Sequence, residues 1–192
     1  ESSPLKSVRS GWQRDKGVGI GTTWDVFGLL GVPAPDWGSG NLRVDGFTER
    51  GPALGLDLNL AGIGGLPGTG TLDAYGLYDF GGTDRTSGGE DVDVESGLRG
   101  QLVGEYRANL SVDLLIQAQL SYLSDQTWAA AWREDDYNAR REYESSLYLA
   151  YSPDNTLLSG GVRGNVNDFL SNSWKIASQP YFVQKLPEIE YN

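Results

Sequence analysis

The 192-residue sequence contains no cysteine, no histidine and no methionine. Without cysteine the chain has neither disulfides nor thiolate metal ligands. Without histidine it has no Ser-His-Asp triad, no histidine-ligated zinc and no histidine general base. We therefore expect no metal site, no cofactor and no catalytic residues. Because the sequence also lacks a start methionine, we expect it to be a processed product or a fragment.

Positive charge and long apolar segments are scarce as well. Fifteen Lys and Arg residues stand against 26 Asp and Glu residues, which gives a net charge of -11 and a pI of about 4.4. This balance disfavours a nucleic-acid partner. No apolar run approaches the length of a membrane-spanning helix, and no signal peptide is present.

The residues that are abundant favour an all-β chain. The sequence has 27 Gly, 10 Tyr and 6 Trp residues, which suits strands joined by many turns. Pairs of strand-like segments recur around the short turns ERG, RANLS and SPDNT, and no segment has the length that a parallel helical crossover needs. These features predict an up-and-down antiparallel sheet. Residues 1–16 are polar and show no clear element. The segment GGTDRTSGGEDVDVES, residues 81–96, predicts a long acidic loop, and QPYFVQKLPEIEYN, residues 179–192, predicts a strand that Pro187 interrupts.

The segment GLRGQLVGEYRANLSVDLLIQAQLSYLSD, residues 97–125, alternates with a period of two on both sides of a short turn. One face is apolar and the other polar. The apolar set, our candidates for lipid contact, is Leu98, Leu102, Leu114, Ile116 and Leu120. The polar set, our candidates for a lumen, is Arg99, Gln101, Glu105, Arg107, Gln117 and Gln119.

Periodicity alone does not decide whether the apolar face meets lipid or a protein core, because a soluble sandwich or jelly roll alternates in the same way. Three features favour lipid. The strands are about ten residues long, as a tilted membrane strand requires. Aromatic residues such as Tyr106, Tyr122 and Phe80 mark their ends. The polar faces carry Gln, Ser, Asn and paired Arg and Glu, which suits a wet lumen.

Two motifs resemble functional sites, a phosphate-binding loop and a glycosidase active site, but each also has a simpler structural interpretation. The segment GLPGTGT, residues 65–71, resembles a phosphate-binding loop, but Thr71 replaces the lysine and a strand pattern follows. Asp91, Asp93 and Glu95 would share one face of a strand, as the carboxylates of a jelly-roll glycosidase do. An acidic solvated loop explains these three residues as well.

Trp128 and Trp132 stand four residues apart in the mixed-charge segment TWAAAWREDDYNARRE. The segment suggests a helical turn around the two tryptophans. They either grip a ligand or lipid, or they pack a loop.

Several segments together resemble the barrel domain of the LptD family, the outer-membrane LPS-assembly proteins also called organic solvent tolerance proteins. They are, in chain order, GTTWDVFGLLG, GFTERGPALGLDLNL, LSYLSDQTWAAAWREDDY, SLYLAYSPDNTLLSGGVRGNVNDF and QKLPEIEYN. The resemblance covers residues 17–192, and it implies that this range is part of a transmembrane β-barrel that holds only the first strands of a larger barrel. Residues 1–16 would be a remnant of a preceding periplasmic domain.

The resemblance also implies a function. The chain would be a conduit rather than an enzyme, and it would insert lipopolysaccharide into the outer leaflet of a Gram-negative outer membrane. Its partners would be a plug lipoprotein (LptE-like) and a periplasmic jelly-roll bridge protein (LptA-like). In the family, prolines weaken the first strands to form a lateral gate. Here Gly19, Gly21 and Gly46 would loosen the pairing instead. A secreted jelly-roll glycosidase and a general porin are the alternatives.

Overall fold

The computed structural model describes residues 3–62, 67–85, 90–139, 141, 143–154, 156–167 and 185–191. The first strands are β1 (Leu5–Gln13), β2 (Gly17–Asp25), β3 (Gly38–Phe47), β4 (Gly51–Leu60) and β5 (Thr69–Asp79). The following strands are β6 (Gly82–Arg85), β7 (Asp91–Val94), β8 (Gly97–Asn109), β9 (Leu114–Leu123), β10 (Ser145–Tyr151), β11 (Leu158–Gly164) and β12 (Lys185–Tyr191). Three short helices are α1 (Val26–Leu30), α2 (Trp128–Trp132) and α3 (Glu134–Asn138).

Ten of these strands form one antiparallel sheet in the order β1-β2-β3-β4-β5-β8-β9-β10-β11-β12. Among the described strands, each pairs with its neighbour in the chain, and the hairpin β6-β7, which forms a separate sheet, is the one interruption. The prediction of an all-β, antiparallel, up-and-down sheet is therefore confirmed. None of the helices described is long and apolar enough to cross a membrane.

The strands keep charged side chains off one face of the sheet. In β1–β5 and β8–β11, the face that carries Leu54 and Leu120 has no Asp, Glu, Lys or Arg side chain. We call it the apolar face, and the opposite one the polar face. Large exposed residues on the apolar face are Val8, Trp12, Val18, Ile20, Val44, Leu54, Tyr78, Leu98, Leu120, Tyr122, Leu147, Leu149, Tyr151, Leu158 and Val162.

The two ends of the sheet differ in their connections. One end, the turn end, has the short turns 110–113 and 152–157 and the connections 26–37 and 61–68. The other end, the loop end, has the short turns 14–16 and 48–50 and the long connections 80–96 and 124–144. At the loop end, α2 folds back onto the polar face and creates a small hydrophobic core there. Its buried members are Ala53, Tyr75, Leu77, Val103, Leu123, Trp128, Ala129 and Tyr143.

The structure corrects three expectations for individual segments. Residues 1–16 are not devoid of a regular element, because β1 pairs with β2 along most of its length. A register shift between Leu5 and Ser7 breaks the alternation that would have revealed this strand. The connection 80–96 is not only a loop, since it contains the hairpin β6-β7.

Pro187 does not interrupt the last strand, which is the third correction. Gly161 pairs with Glu188 and Arg163 pairs with Lys185, so that Leu186 and Pro187 stand opposite the single residue Val162. This is a β-bulge in a strand at the edge of the sheet, a place that tolerates the missing N–H of proline.

Candidate functional site

The polar face of the sheet is the candidate functional site, because the strands place their charged and amide side chains there. It has two parts. At the loop end, the segment 124–139 covers it, and we call these residues the capping segment. Towards the turn end, no described segment covers the same strands, and a groove remains.

A buried ionic cluster attaches the capping segment to the sheet. It joins Arg50 from the β3–β4 turn, Asp79 from β5, Asp84 from β6, Arg99 from β8 and Asp125 from the capping segment. The side chains of Asp79 and Asp84 are 0% and 1% exposed, and those of Arg50 and Arg99 are 2% and 6% exposed. Two arginines thus face three aspartates. Buried charges of this kind are tolerated only when they are paired and hydrogen-bonded.

Asp79 is the centre of this cluster. Its Oδ2 accepts hydrogen bonds from Arg50 Nη2 and from Arg99 Nη1, both at 2.7 Å. Its Oδ1 accepts from Arg50 Nε at 2.9 Å and from the backbone N–H of Gly81 at 3.0 Å. Arg50 Nη1 also lies 2.8 Å from Asp84 Oδ1, an ion pair by distance without the direction of a hydrogen bond.

Arg99 makes the link to the capping segment. Its Nε and Nη2 donate to the two carboxylate oxygens of Asp125 at 2.9 and 2.8 Å, the fork geometry that makes arginine–carboxylate pairs strong. Burial raises the pKa of Asp125, but the hydrogen bonds from Arg99 and Ser124 outweigh this effect and hold the pKa below its usual range. Asp125 therefore stays ionised while it anchors the segment.

Two stacked indoles fill the space between the capping segment and the sheet. Trp128 is fully buried and stacks on Trp132, with ring centroids 5.9 Å apart. Trp128 Nε1 donates to Gln101 at 3.0 Å. The ammonium group of Lys16 lies 4.4 Å from the centre of the Trp132 ring, a cation–π contact. Burial, followed by the nearby charge of Arg50, lowers the pKa of Lys16.

Further ion pairs cross the first strands on the same face. Arg9 donates to both oxygens of Asp45, at 3.0 and 3.2 Å, and the Tyr75 hydroxyl donates to Asp45 at 2.8 Å. Two residues away from Asp45 on β3, Arg43 pairs with Asp57 at 2.9 Å. Arg9 and Arg43 thus each pair with an aspartate on this face, although the aspartates Asp57 and Asp73 are also direct cross-strand neighbours.

The groove towards the turn end has a volume of about 990 Å³. Hydroxyl and amide groups dominate its polar lining, and Arg107 and Arg163 add positive charge. Glu144 lies 3.2 Å from Arg163 and compensates one of these charges. The polar-face residues that line the groove are Asn59, Thr69, Thr71, Glu105, Arg107, Gln117, Gln119, Ser146, Tyr148, Ser159 and Arg163.

The structure distributes the six lumen candidates over both parts of the polar face. Arg99 and Gln101 lie under the capping segment, where they bond Asp125 and Trp128. Glu105 lies at the boundary and accepts from Arg141 at 2.7 Å. Arg107, Gln117 and Gln119 line the groove. The five lipid candidates Leu98, Leu102, Leu114, Ile116 and Leu120 all lie on the opposite face. Contact with a lumen or with lipid stays a prediction for both sets.

The three gate glycines Gly19, Gly21 and Gly46 lie in β2 and β3, in stretches where the register is regular; the shift between Leu5 and Ser7 is outside these stretches. Gly21 pairs with Arg9 and Asp45, and Gly19 pairs with Gly11 and Phe47. A Cβ at Gly21 would approach Asp45 Oδ1 to 2.2 Å, so this glycine makes room for the Arg9–Asp45 pair. Gly46 is on the apolar face, with open space around it. A gating role for these three residues stays a prediction.

Asp91, Asp93 and Glu95 are all exposed, and Asp91 and Asp93 lie on β7 of the small hairpin. Asp91 lies 4.0 Å from Arg85, and both side chains are about three-quarters exposed (74% and 76%). Thr83 donates a hydrogen bond to Asp93. None of the three lines the groove of the polar face. The described residues contain no group of three or more acidic side chains arranged to hold a metal ion.

The segment 65–71, which imitates a phosphate-binding loop, leads into a strand and not into a helix. Residues 65 and 66 lie outside the described part of the chain. β5 begins at Thr69, and Thr71 pairs with Asn59 and Glu105 in the sheet. The helix that a phosphate-binding loop requires is replaced here by this strand.

The sequence interpretation missed Arg50, Asp79 and Asp84, although they form most of the buried cluster. Arg50 stands in a turn and Asp84 in a segment that reads as an acidic loop, which are both places where charges are usually solvated. The one available signal is Asp79, a carboxylate near the end of the otherwise aromatic and apolar strand segment 75–80.

No protein-family model matches the chain, and a search of curated proteins found no match. The resemblance to the LptD family therefore stays a prediction that rests on the five quoted segments. Two of them coincide with the structural features just described. LSYLSDQTWAAAWREDDY contains most of the capping segment, and SLYLAYSPDNTLLSGGVRGNVNDF forms the strands β10 and β11 beside the groove.

Proposed function

We propose that the chain is part of an outer-membrane β-barrel whose apolar face contacts lipid and whose polar face lines an aqueous lumen. The observation that carries this proposal is the complete exclusion of charge from one face of β1–β5 and β8–β11. Leu98 is 82% exposed and Leu54 56% exposed on a face that no described layer covers. Soluble monomers rarely leave an apolar surface of this extent open to water.

We further propose that this barrel conducts lipopolysaccharide to the outer leaflet, and that it is a conduit and not an enzyme. The order of the five segments that resemble the LptD family supports this cargo. The groove supports it too, because hydroxyls, amides and a few charges of both signs suit a passing amphiphile with a sugar part. The outer membrane, a plug lipoprotein and a periplasmic bridge protein are the partners of this proposal.

The proposed orientation follows from the connections. Outer-membrane barrels have short periplasmic turns and longer extracellular loops. The long connections 80–96 and 124–144 both lie at the loop end, so this end and the capping segment would face the outside. The turn end, with the turns 110–113 and 152–157 and the connections 26–37 and 61–68, would face the periplasm. Cargo that rises from the periplasm would meet the open groove first and the capping segment afterwards.

Photo-cross-linking tests this proposal in cells that produce the full-length protein. A benzophenone amino acid replaces Gln117, which lines the groove, and in a matched variant it replaces the preceding residue, Ile116, which is on the apolar face and does not line the groove. We expect lipopolysaccharide to cross-link at position 117 and not at 116, because position 116 would face phospholipid in the inner leaflet. A porin would give no lipopolysaccharide adduct at position 117, and that result would refute the proposed cargo.

A further inference from the structure

The connection between β2 and β3, residues 26–37, is apolar along almost its whole length. Its sequence is VFGLLGVPAPDW, and Asp36 is its only charged residue. The exposed fractions are 44% for Leu29, 68% for Leu30, 47% for Val32 and 52% for Trp37. We call residues 26–37 the apolar strap. It lies at the turn end of the sheet, where polar turn residues would be expected in a connection exposed to water.

Local contacts hold the strap in place, so its apolar side chains are presented in a fixed arrangement. Asp25 accepts a hydrogen bond from the backbone N–H of Gly28 at 2.7 Å and caps α1. Gly31, with φ of 67°, ends the helix. At the far end, the carbonyl of Trp37 accepts from the N–H of Ala61 at 2.6 Å. The rings of Phe27 and Trp37 meet edge to face, 6.2 Å apart.

The strap is continuous with the apolar face of the sheet. Gly40 lies on that face, and a Cβ there would stand 3.2 Å from Val26 Cγ2 and 2.8 Å from Leu58 Cδ2. The missing side chain of Gly40 therefore leaves the space in which Val26 packs against the apolar face. The exposed residues Leu29, Leu30 and Trp37 extend this surface beyond the end of β2.

We propose that the apolar strap is an interfacial membrane anchor, which places its exposed leucine, valine and tryptophan side chains in the headgroup–acyl boundary of the leaflet at the turn end. The inference rests on the proposed function, because it takes the apolar face to be in lipid. Tryptophan favours this boundary, and short apolar segments that lie parallel to a membrane insert there. Continuity with the apolar face selects lipid rather than a second protein as the occupant.

Depth-dependent fluorescence quenching tests the anchor. The chain has no cysteine, so a single introduced cysteine can carry an environment-sensitive dye without competing sites in this sequence. The full-length protein is reconstituted in phosphatidylcholine vesicles with Leu30→Cys in the strap, Leu54→Cys on the apolar face, or Ser111→Cys in a turn at the same end. The vesicles contain a nitroxide lipid that carries its quencher either near the headgroup or deep in the acyl region.

We expect the label at position 30 to lose emission to the shallow nitroxide more than to the deep one. The label at position 54 should lose emission to nitroxide lipid, and the label at position 111 should respond only to aqueous iodide. If position 54 contacts lipid and position 30 responds to iodide alone, the anchor is refuted while the proposed function stands. If neither nitroxide lipid nor iodide quenches the label at position 30, a protein covers the strap, and this result also refutes the anchor. If position 54 is itself in water, the proposed function fails.

Discussion

At the loop end, the polar face buries Asp79 and Trp128 completely, whereas at the turn end the same sheet leaves Arg107 exposed beside a groove of about 990 Å³. The strands are continuous between the two regions, and the difference comes from the capping segment. Where this segment covers the sheet, the buried arginines and aspartates form ion pairs and the two tryptophan rings stack. Where it is absent, hydroxyls, amides and charges remain accessible. The comparison indicates that the covered loop end contributes more to stability than the open groove does. In the function that we propose, the groove is the surface that contacts cargo.

The largest expected effect is at the centre of the buried cluster. Asp79→Ala removes the carboxylate that accepts from Arg50 Nε, Arg50 Nη2 and Arg99 Nη1, and it leaves these buried donors unpaired although Asp84 still faces both arginines. Breaking such a buried network costs about 3–5 kcal/mol. Arg107→Ala removes a charge from the groove, and we expect a loss of about 0.5 kcal/mol or less. Denaturant unfolding of the full-length protein in detergent measures both free energies. Equal losses in the two variants would contradict the division of the polar face into two regions.

Replacement of neighbouring residues in β9 sharpens the contrast between the two faces. Leu120→Arg places a charge on the apolar face and should cost roughly 2–4 kcal/mol if the position is near the bilayer midplane. Gln119→Arg places the same charge at the groove, where water solvates it, and should cost little. The measurement is the unfolding free energy in phospholipid bilayers. A larger loss for Gln119→Arg than for Leu120→Arg would reverse the assignment of the faces.

Acid should weaken the attachment of the capping segment to the sheet. The pKa of Asp125 is lower in the folded protein than its ordinary value of 3.8, so the unfolded chain binds this proton more readily. The stability that Asp125 contributes is complete above about pH 4 and is lost as the pH falls through the folded-state pKa. Asp125→Asn should therefore lower the free energy of unfolding at pH 7, and the difference from the unsubstituted protein should narrow as the pH falls below about 4. A stability gap that does not narrow in acid would show that Asp125 does not anchor the segment as a carboxylate.

The smallest effect is expected in the acidic hairpin outside both regions. Replacement of Asp91 and Asp93 by Asn, together with Glu95→Gln, should change stability by about 0.5 kcal/mol or less, because the three side chains are exposed. Transport should also be unchanged. Loss of a glycan-cleaving activity in this triple variant would instead support a glycosidase.

Much of the sheet is predictable from sequence because the period-two alternation is strong where one face is uniformly apolar. The alternation directly predicts the hairpin of β8 and β9. It also predicts that Leu98 lies on the apolar face and Arg99 on the polar face. β1 escapes prediction because the irregularity between Leu5 and Ser7 shifts the alternation by one residue. Pro187 misleads for a related reason, since a bulge admits it into a strand.

The candidate site is less predictable, because its decisive contacts join distant parts of the chain. Arg50 and Asp79 are 29 residues apart and Thr127 and Asp84 are 43 apart, and no local pattern marks such pairs. The tryptophans of α2 are conspicuous in the sequence, and of their two interpretations the structure shows packing against the sheet. The position of the capping segment decides which polar residues are covered and which stay exposed. The period-two alternation of the strands does not predict that position.

The central claim is that the apolar face contacts lipid and the polar face contacts water, and spin labels at two adjacent positions test it most directly. Single-cysteine variants Gln119→Cys and Leu120→Cys of the full-length protein carry the label in phospholipid membranes. We expect position 120 to be relaxed by oxygen, which concentrates in the acyl region, and position 119 by a water-soluble nickel complex. If position 120 is shielded from the acyl region, or if position 119 is the one in contact with it, the assignment of the two faces is wrong.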